Sequence, residues 1–203
     1  MRKWVVVILA AATAAAVGLA VFEQHPPPAS ALPALSKTYL AFSPGSSLAP
    51  PPLVTSRGQT FSAAQWRGHW SLVFFGFTSC PLVCPRTLSL LTAVARLPTS
   101  GIASGSTEPL FVSVDPEHDT PARLNSYLSH FDSHILGLTG SREQIDSLSH
   151  ELGASYSSNG SSIDHSTSLF VVDPAGHLAG VLLHPSNPTQ IAADLAALRR
   201  QVN

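Results

Sequence analysis

The chain has 203 residues, a formal net charge of −1 and only 11% charged side chains. That balance offers no basic stripe for a nucleic-acid backbone and too few charges for a surface held together by ion pairs. The chain holds just two cysteines, Cys80 and Cys84, too few for a disulfide scaffold, so they point to reactivity or metal binding.

The N-terminus opens with the basic start Met1-Arg2-Lys3, and Trp4 to Phe22 then runs apolar without a charge. As a helix this run measures roughly 28 Å, about one bilayer core. Residues 1–22 are therefore expected to form a single-pass anchor in the cell inner membrane. Arg2 and Lys3 would stay cytoplasmic and the folded domain would lie on the periplasmic side. A cleaved signal peptide is the alternative, with Gly18-Leu19-Ala20 as its small-residue site; the length of the run favours the anchor. Residues 23–52 contain Pro26-Pro27-Pro28 and Pro50-Pro51-Pro52 and read as an extended tether. The folded domain is expected over 53–203, long enough to bury a core.

Within the domain, Ser71 to Phe77 is a continuous apolar run typical of a strand buried on both faces. A helical pattern follows over Leu88 to Leu97, then a second buried strand over Leu110 to Val114. Thr120-Pro121 reads as an N-cap followed by proline at the first helical position. Ile135 to Leu138 is a short strand and Arg142 to Leu152 a helix. Leu169 to Val172 and Leu178 to Leu183 are strands joined by the turn sequence Asp173-Pro174-Ala175-Gly176. Ile191 to Arg200 closes the chain as an amphipathic helix. This order predicts a three-layer α/β/α sandwich around a mixed sheet.

The chemistry concentrates in Thr78-Ser79-Cys80-Pro81-Leu82-Val83-Cys84-Pro85, where the first buried strand gives way to a helix. Reactive groups gather at the carboxyl ends of strands in such sheets, and a helix N-terminus favours negative charge on sulfur. Cysteines at i and i+4 on a helical turn share a face. Two soft thiolates there suit Cu(I), and they can also close a disulfide. Zinc is disfavoured because a structural site wants four protein ligands and no second cysteine pair exists. The bland alternative is a pair of buried structural cysteines.

A third ligand has to come from among nine histidines. His25 lies in the tether, and His130 and His134 flank an expected helix end. His69, His118, His150, His177 and His184 are scattered. His165 stands apart by position, in Ile163-Asp164-His165-Ser166-Thr167 directly before a strand. In a thioredoxin-like layout that loop faces the cysteine turn.

With these residues in view, the sequence resembles the SCO/SenC copper chaperones of cytochrome c oxidase assembly. The resemblance runs from about Leu53 to the C-terminal helix. Four segments carry it: Phe75 to Pro81 with Cys84-Pro85; Ser113-Val114-Asp115-Pro116 through Asp119-Thr120-Pro121; Gly137-Leu138-Thr139-Gly140; and Asp164-His165-Ser166. It implies a thioredoxin-like fold and one copper ion held by Cys80, Cys84 and His165. It further implies a copper-receiving oxidase subunit as partner, along with a copper donor protein and a thiol reductant. Three departures stand out, one of them the short, Ser/Gly-rich stretch between Ser157 and Ile163. Leu82 and Val83 are apolar where family members often carry an acidic residue, and His118 stands where they often carry arginine.

Two other functions compete with copper delivery. A thiol–disulfide oxidoreductase would use Cys80 and Cys84 as its redox pair and keep the oxidase cysteines reduced; its warrant is the helix-terminal dithiol. Against it stands the CxxxC spacing, since general thioredoxin-like enzymes use CxxC. A thiol peroxidase is suggested by Thr78 two residues before Cys80. Asp115 and Asp119 are expected to order the loop around them rather than bind metal.

Overall fold

The computed structural model describes residues 35–42, 47–158, 163–165 and 167–202. The anchor or signal peptide expected over 1–22 lies outside them, and among the described residues no helix is long and apolar enough to cross a membrane.

The sheet is built outward from two strands whose sequences are apolar on both faces. Strand β4 (Trp70–Gly76) is buried at every position and pairs in parallel with β5 (Thr107–Ser113), which pairs in parallel with β6 (Leu136–Thr139). The other strands are antiparallel to their neighbours. Strand β9 (Leu169–Val172) lies against β4, β10 (Leu178–Leu182) against β9 and β1 (Tyr39–Ala41) against β10. On the other flank β2 (Leu53–Thr55) pairs with β6 and with β3 (Thr60–Phe61). The eight strands run β1-β10-β9-β4-β5-β6-β2-β3. A separate hairpin joins β7 (Tyr156–Ser158) and β8 (Ile163–His165).

Strand alternation divides the core in two, as period-two geometry requires. Leu72 and Phe74 of β4, Phe111 of β5 and Val171 of β9 face one side. There they meet α1 (Val83–Ala95), α2 (Pro121–Leu128) and α4 (Pro188–Val202) through Leu88, Leu91, Leu124 and Leu195. Val73, Phe75, Leu110, Val112 and Phe170 face the other side, against Ile145, Leu148 and Leu152 of α3 (Arg142–Leu152) and against Trp66. These are the three layers expected from the sequence, with the mixed central sheet between helices.

Local signals set the ends of the elements. Thr120 Oγ1 accepts the Arg123 N–H at 3.3 Å and Pro121 follows at the first helical position of α2. Ser141 and Gln144 form a reciprocal capping box at the start of α3, which ends on left-handed Gly153 at φ 67°. In the turn between β9 and β10, Asp173 Oδ1 accepts from the N–H groups of Ala175 and His177, and Gly176 takes φ 85°.

Two boundaries differ from the sequence expectation. The folded unit begins at Leu35 rather than near Leu53. Within the stretch read as tether, Tyr39–Ala41 adds an edge strand, and Tyr39 and Leu48 are buried. The buried Asp194 of α4 fixes this segment by accepting from Ser36 N–H at 2.9 Å and Ser36 Oγ at 2.5 Å. Helix α1 starts at Val83, five residues before the apolar periodicity begins at Leu88. Pro85 sits in its first turn, where a missing N–H leaves no intrahelical bond unmade.

Candidate metal centre

Cys80 and Cys84 meet where β4 ends and α1 begins. They do not both ride on a helix, as the spacing suggested. Cys80 closes a turn in which its N–H donates to Phe77 C=O at 3.2 Å, whereas Cys84 lies in the first turn of α1. Leu82, at the N-cap position, offers no side-chain acceptor. The Cys80 sulfur takes that place, accepting the Cys84 N–H at 3.4 Å. One of the orphan donors of the helix start is thereby satisfied by sulfur, and the positive end of the helix faces both sulfurs.

Both residues are thiols, Cys80 at 8% and Cys84 at 0% exposure. Burial is the main force pushing the Cys84 thiol well above its ordinary pKa; a backbone hydrogen bond with Phe77 opposes it and the Cys80 side chain adds to it. Cys84 is therefore neutral at pH 7 in the metal-free protein, and a metal binding there has to displace its proton. Soft donors in a dry, tight turn fit a soft monovalent cation better than a hard one.

Gly76 makes room for this arrangement. A Cβ there would stand 2.7 Å from Cys84 Sγ and 2.8 Å from Phe111 Cε2. Gly76→Ala is expected to destabilise the protein by about 1–3 kcal/mol through overpacking, and to expose Cys84 to alkylation in the native state. Thermal denaturation and iodoacetamide labelling would check this; unchanged stability and labelling would contradict it. The sequence carried a signal for this position, since an isolated glycine inside a strand pattern marks a close approach.

A buried carboxylate braces the turn. Asp119 is fully buried and accepts from Thr78 N–H at 2.9 Å, Thr78 Oγ1 at 2.5 Å and Ser113 Oγ at 2.7 Å. Arg123 Nε lies 3.6 Å from Asp119 and donates to Thr78 Oγ1 at 2.7 Å. Asp119 thus ties the loop after β4 to the loop after β5, at the carboxyl ends of two parallel strands. Asp115 orders the second loop. Its carbonyl accepts the N–H groups of His118 and Asp119, and its carboxylate sits 2.8 Å from His118 Nδ1. That contact raises the pKa of the exposed His118 imidazole. Both aspartates order the loop, as the sequence suggested.

The third expected ligand is placed less fully. His165 lies on β8, its backbone opposite Tyr156 across the hairpin, and its imidazole is outside the described residues. Among the described residues no three His, Cys, Asp or Glu side chains cluster as a metal site. Three of the other described histidines are engaged by carboxylates away from the cysteine turn. His69 is near Glu108, His134 near Asp132 and His177 near Asp173. A cleft of about 390 Å³ borders α1 beside the turn, lined by Leu82, Val83, Arg86, Thr167, His184 and Pro185. Leu82 is 62% exposed at its rim. Sequence reasoning missed the parts played by Gly76 and Arg123.

A mixed sheet between helices, with a CxxxC turn at the end of its central strand, defines a thioredoxin-like protein carrying a dithiol site. Residues 48–200 match the SCO1/SenC family, and the chain belongs to that family. The mitochondrial SCO2 homolog of Danio rerio is 34% identical over 150 residues, which cover 70% of this chain and 53% of that protein. The chain thus spans about half the length of that relative. A Stutzerimonas stutzeri protein named for copper binding is 37% identical over 139 residues, covering 66% of this chain and 67% of the other. Among solved structures, Arabidopsis thaliana ScoI with copper bound is similar at a TM-score of 0.67 and 28% identity, over 75% of this chain and 97% of that one.

Proposed function

We propose that this chain binds one Cu(I) through Cys80, Cys84 and His165 and delivers it to the binuclear copper site of a cytochrome c oxidase subunit. The observation that carries the reading is the pair of thiols at the start of α1, with Cys80 sulfur held on the Cys84 N–H. Membership of the SCO1/SenC family and likeness to a copper-bound relative support it. When bound, copper would be cargo rather than a resident cofactor, so exchange matters as much as affinity. A donor protein would load the dithiol, a thiol reductant would keep it reduced, and the cleft beside Leu82 would lie at the edge of any docked partner.

The same dithiol favours a second reading, a reductase that keeps the oxidase cysteines in the thiol state. His165 separates the two. Dithiol exchange needs two sulfurs and access, but no third ligand from another loop. His165→Ala is expected to weaken Cu(I) retention at least about tenfold while leaving disulfide exchange nearly intact. Cells relying on this variant would then lose oxidase at limiting copper and regain it with added copper. Normal oxidase levels at limiting copper would favour the reductase. A histidine that only packs its loop predicts a drop in apo thermal stability with no copper-specific defect.

The reading also places the domain outside the cytoplasm on an uncleaved N-terminal anchor. Mass spectrometry of the mature protein is expected to find residues 1–22 retained, and a new N-terminus near Val21 would contradict it.

A further inference from the structure

The hairpin that carries His165 stands outside the eight-stranded sheet, and among the described residues β7 and β8 pair only with each other. Its place in the fold is therefore set by side chains and by the chain leading into it. That entry is fixed first. After Gly153 ends α3, Ala154 N–H donates to Ser149 C=O at 2.9 Å and Ala154 C=O accepts from Ser149 Oγ at 2.7 Å. Two residues on, Tyr156 turns back onto the same helix. Its hydroxyl donates to Asp146 Oδ1 and has the Arg142 guanidinium as a second hydrogen-bond partner. Its half-buried ring packs on the core cluster that contains Ile145, Leu148 and Leu152 of α3.

Arg142 carries the connection further. It donates through Nη1 to Val114 C=O at 3.0 Å, and through Nη2 to Glu117 at 3.4 Å. Val114 and Glu117 lie in the loop after β5, whose Asp119 holds Thr78 two residues before Cys80. One arginine thus bonds both to the loop that braces the cysteine turn and to the strand paired with His165. Tyr156 lies directly opposite His165 in the register of the hairpin, so fixing Tyr156 fixes the backbone across from it. The connection between Ser158 and Ile163 is Asn-Gly-Ser-Ser, which brings no apolar side chain to anchor the hairpin from its far end. We propose that Tyr156, clamped between Arg142 and Asp146, is a positioning residue for the copper site that sets where β8 presents His165. The inference rests on the copper reading above and deepens it. Tyr156 acts through the paired strand and does not touch the metal. A phenol suits the task because its one oxygen both donates to the carboxylate and accepts from the guanidinium.

Tyr156→Phe deletes that oxygen and keeps the ring. The full-length reduced variant is expected to unfold within about 4 °C of wild type without copper, since Asp146 and Arg142 can turn to water instead. Its Cu(I) affinity, measured by competition with a chromophoric chelator, is expected to fall about fivefold, less than the loss caused by His165→Ala. The discriminating measurement is the same substitution in the His165→Ala background, where it is expected to change affinity less than about twofold. Asp146→Ala removes the acceptor from the helix side and should repeat the pattern. Tyr39→Phe, which deletes a hydroxyl donating to Ala179 C=O, is the control and should leave affinity unchanged. Unchanged affinity in Tyr156→Phe would overturn the inference. So would an equal fall with and without His165, which marks a general loosening of the fold. His165→Ala that itself binds Cu(I) as wild type does would strike the three-ligand reading, and the inference with it. A normal His165→Ala defect beside an intact Tyr156→Phe strikes the inference alone.

Discussion

Cys80→Ser and Cys84→Ser are each expected to lower the Cu(I) affinity of the reduced chain by more than about a hundredfold. Groups that merely orient a metal ligand change affinity about ten- to hundredfold, so losing a ligand sulfur has to exceed that. A serine hydroxyl is a hard donor and does not substitute for a soft thiolate toward Cu(I). The two variants differ in their effect on the apo protein. Cys80 supplies the acceptor for the Cys84 N–H, so Cys80→Ser keeps an acceptor at the start of α1. Cys84 is fully buried, so Cys84→Ser places a hydroxyl in the core and costs more stability. Oxidation to a Cys80–Cys84 disulfide should block loading as completely as either substitution, because only thiolates are ligands. Full affinity in either serine variant, measured by chelator competition, would contradict the assignment.

Asp119→Ala is expected to destabilise the apo protein by about 3–5 kcal/mol, a fall of roughly 10 °C in Tm for a chain of this length. The carboxylate is fully buried and receives the Thr78 N–H, the Thr78 hydroxyl and the Ser113 hydroxyl. Removing it strands these donors and leaves Arg123 without its buried counter-charge. Thr78 lies two residues before Cys80, so the loosened loop is also expected to weaken copper retention. Asp119→Asn keeps the shape and one acceptor oxygen and should fall between wild type and alanine. Chemical denaturation of the metal-free chain checks the series. An alanine variant within about 1 kcal/mol of wild type would show that Asp119 does not brace the turn.

The layers of the fold were legible in the sequence because the strands that build its centre are apolar on both faces. Ser71 to Phe77 and Leu110 to Val114 could hardly be anything else, and their ends lie within one to three residues of those of β4 and β5. Helix α2 was legible from Thr120-Pro121, where capping chemistry is local. The start of α1 was not. Its first turn holds Pro85 and a cysteine in place of an ordinary capping residue, and its N–H partner is a sulfur from the preceding turn. Strand β1 was hidden for another reason. Tyr39–Ala41 sits in proline-rich chain, and only the distant partners β10 and Asp194 order it.

The site divides the same way. Cys80 and Cys84 were visible as a motif, and their meeting at the end of β4 follows from strand-to-helix geometry. The partners that position them come from far along the chain. Asp119 reaches Thr78 from across two elements, and the Phe111 ring borders Gly76 together with the Cys84 sulfur. No periodicity or spacing encodes contacts of that kind; they emerge only when β4 and β5 lie side by side.

The central claim is a copper site of two sulfurs and one imidazole, and X-ray absorption spectroscopy of the reduced, Cu(I)-loaded full-length chain tests it most directly. The expected result is one copper per chain with two sulfur donors and one nitrogen donor, the nitrogen being lost in His165→Ala. Substoichiometric copper, or a two-sulfur site identical in wild type and His165→Ala, would contradict it.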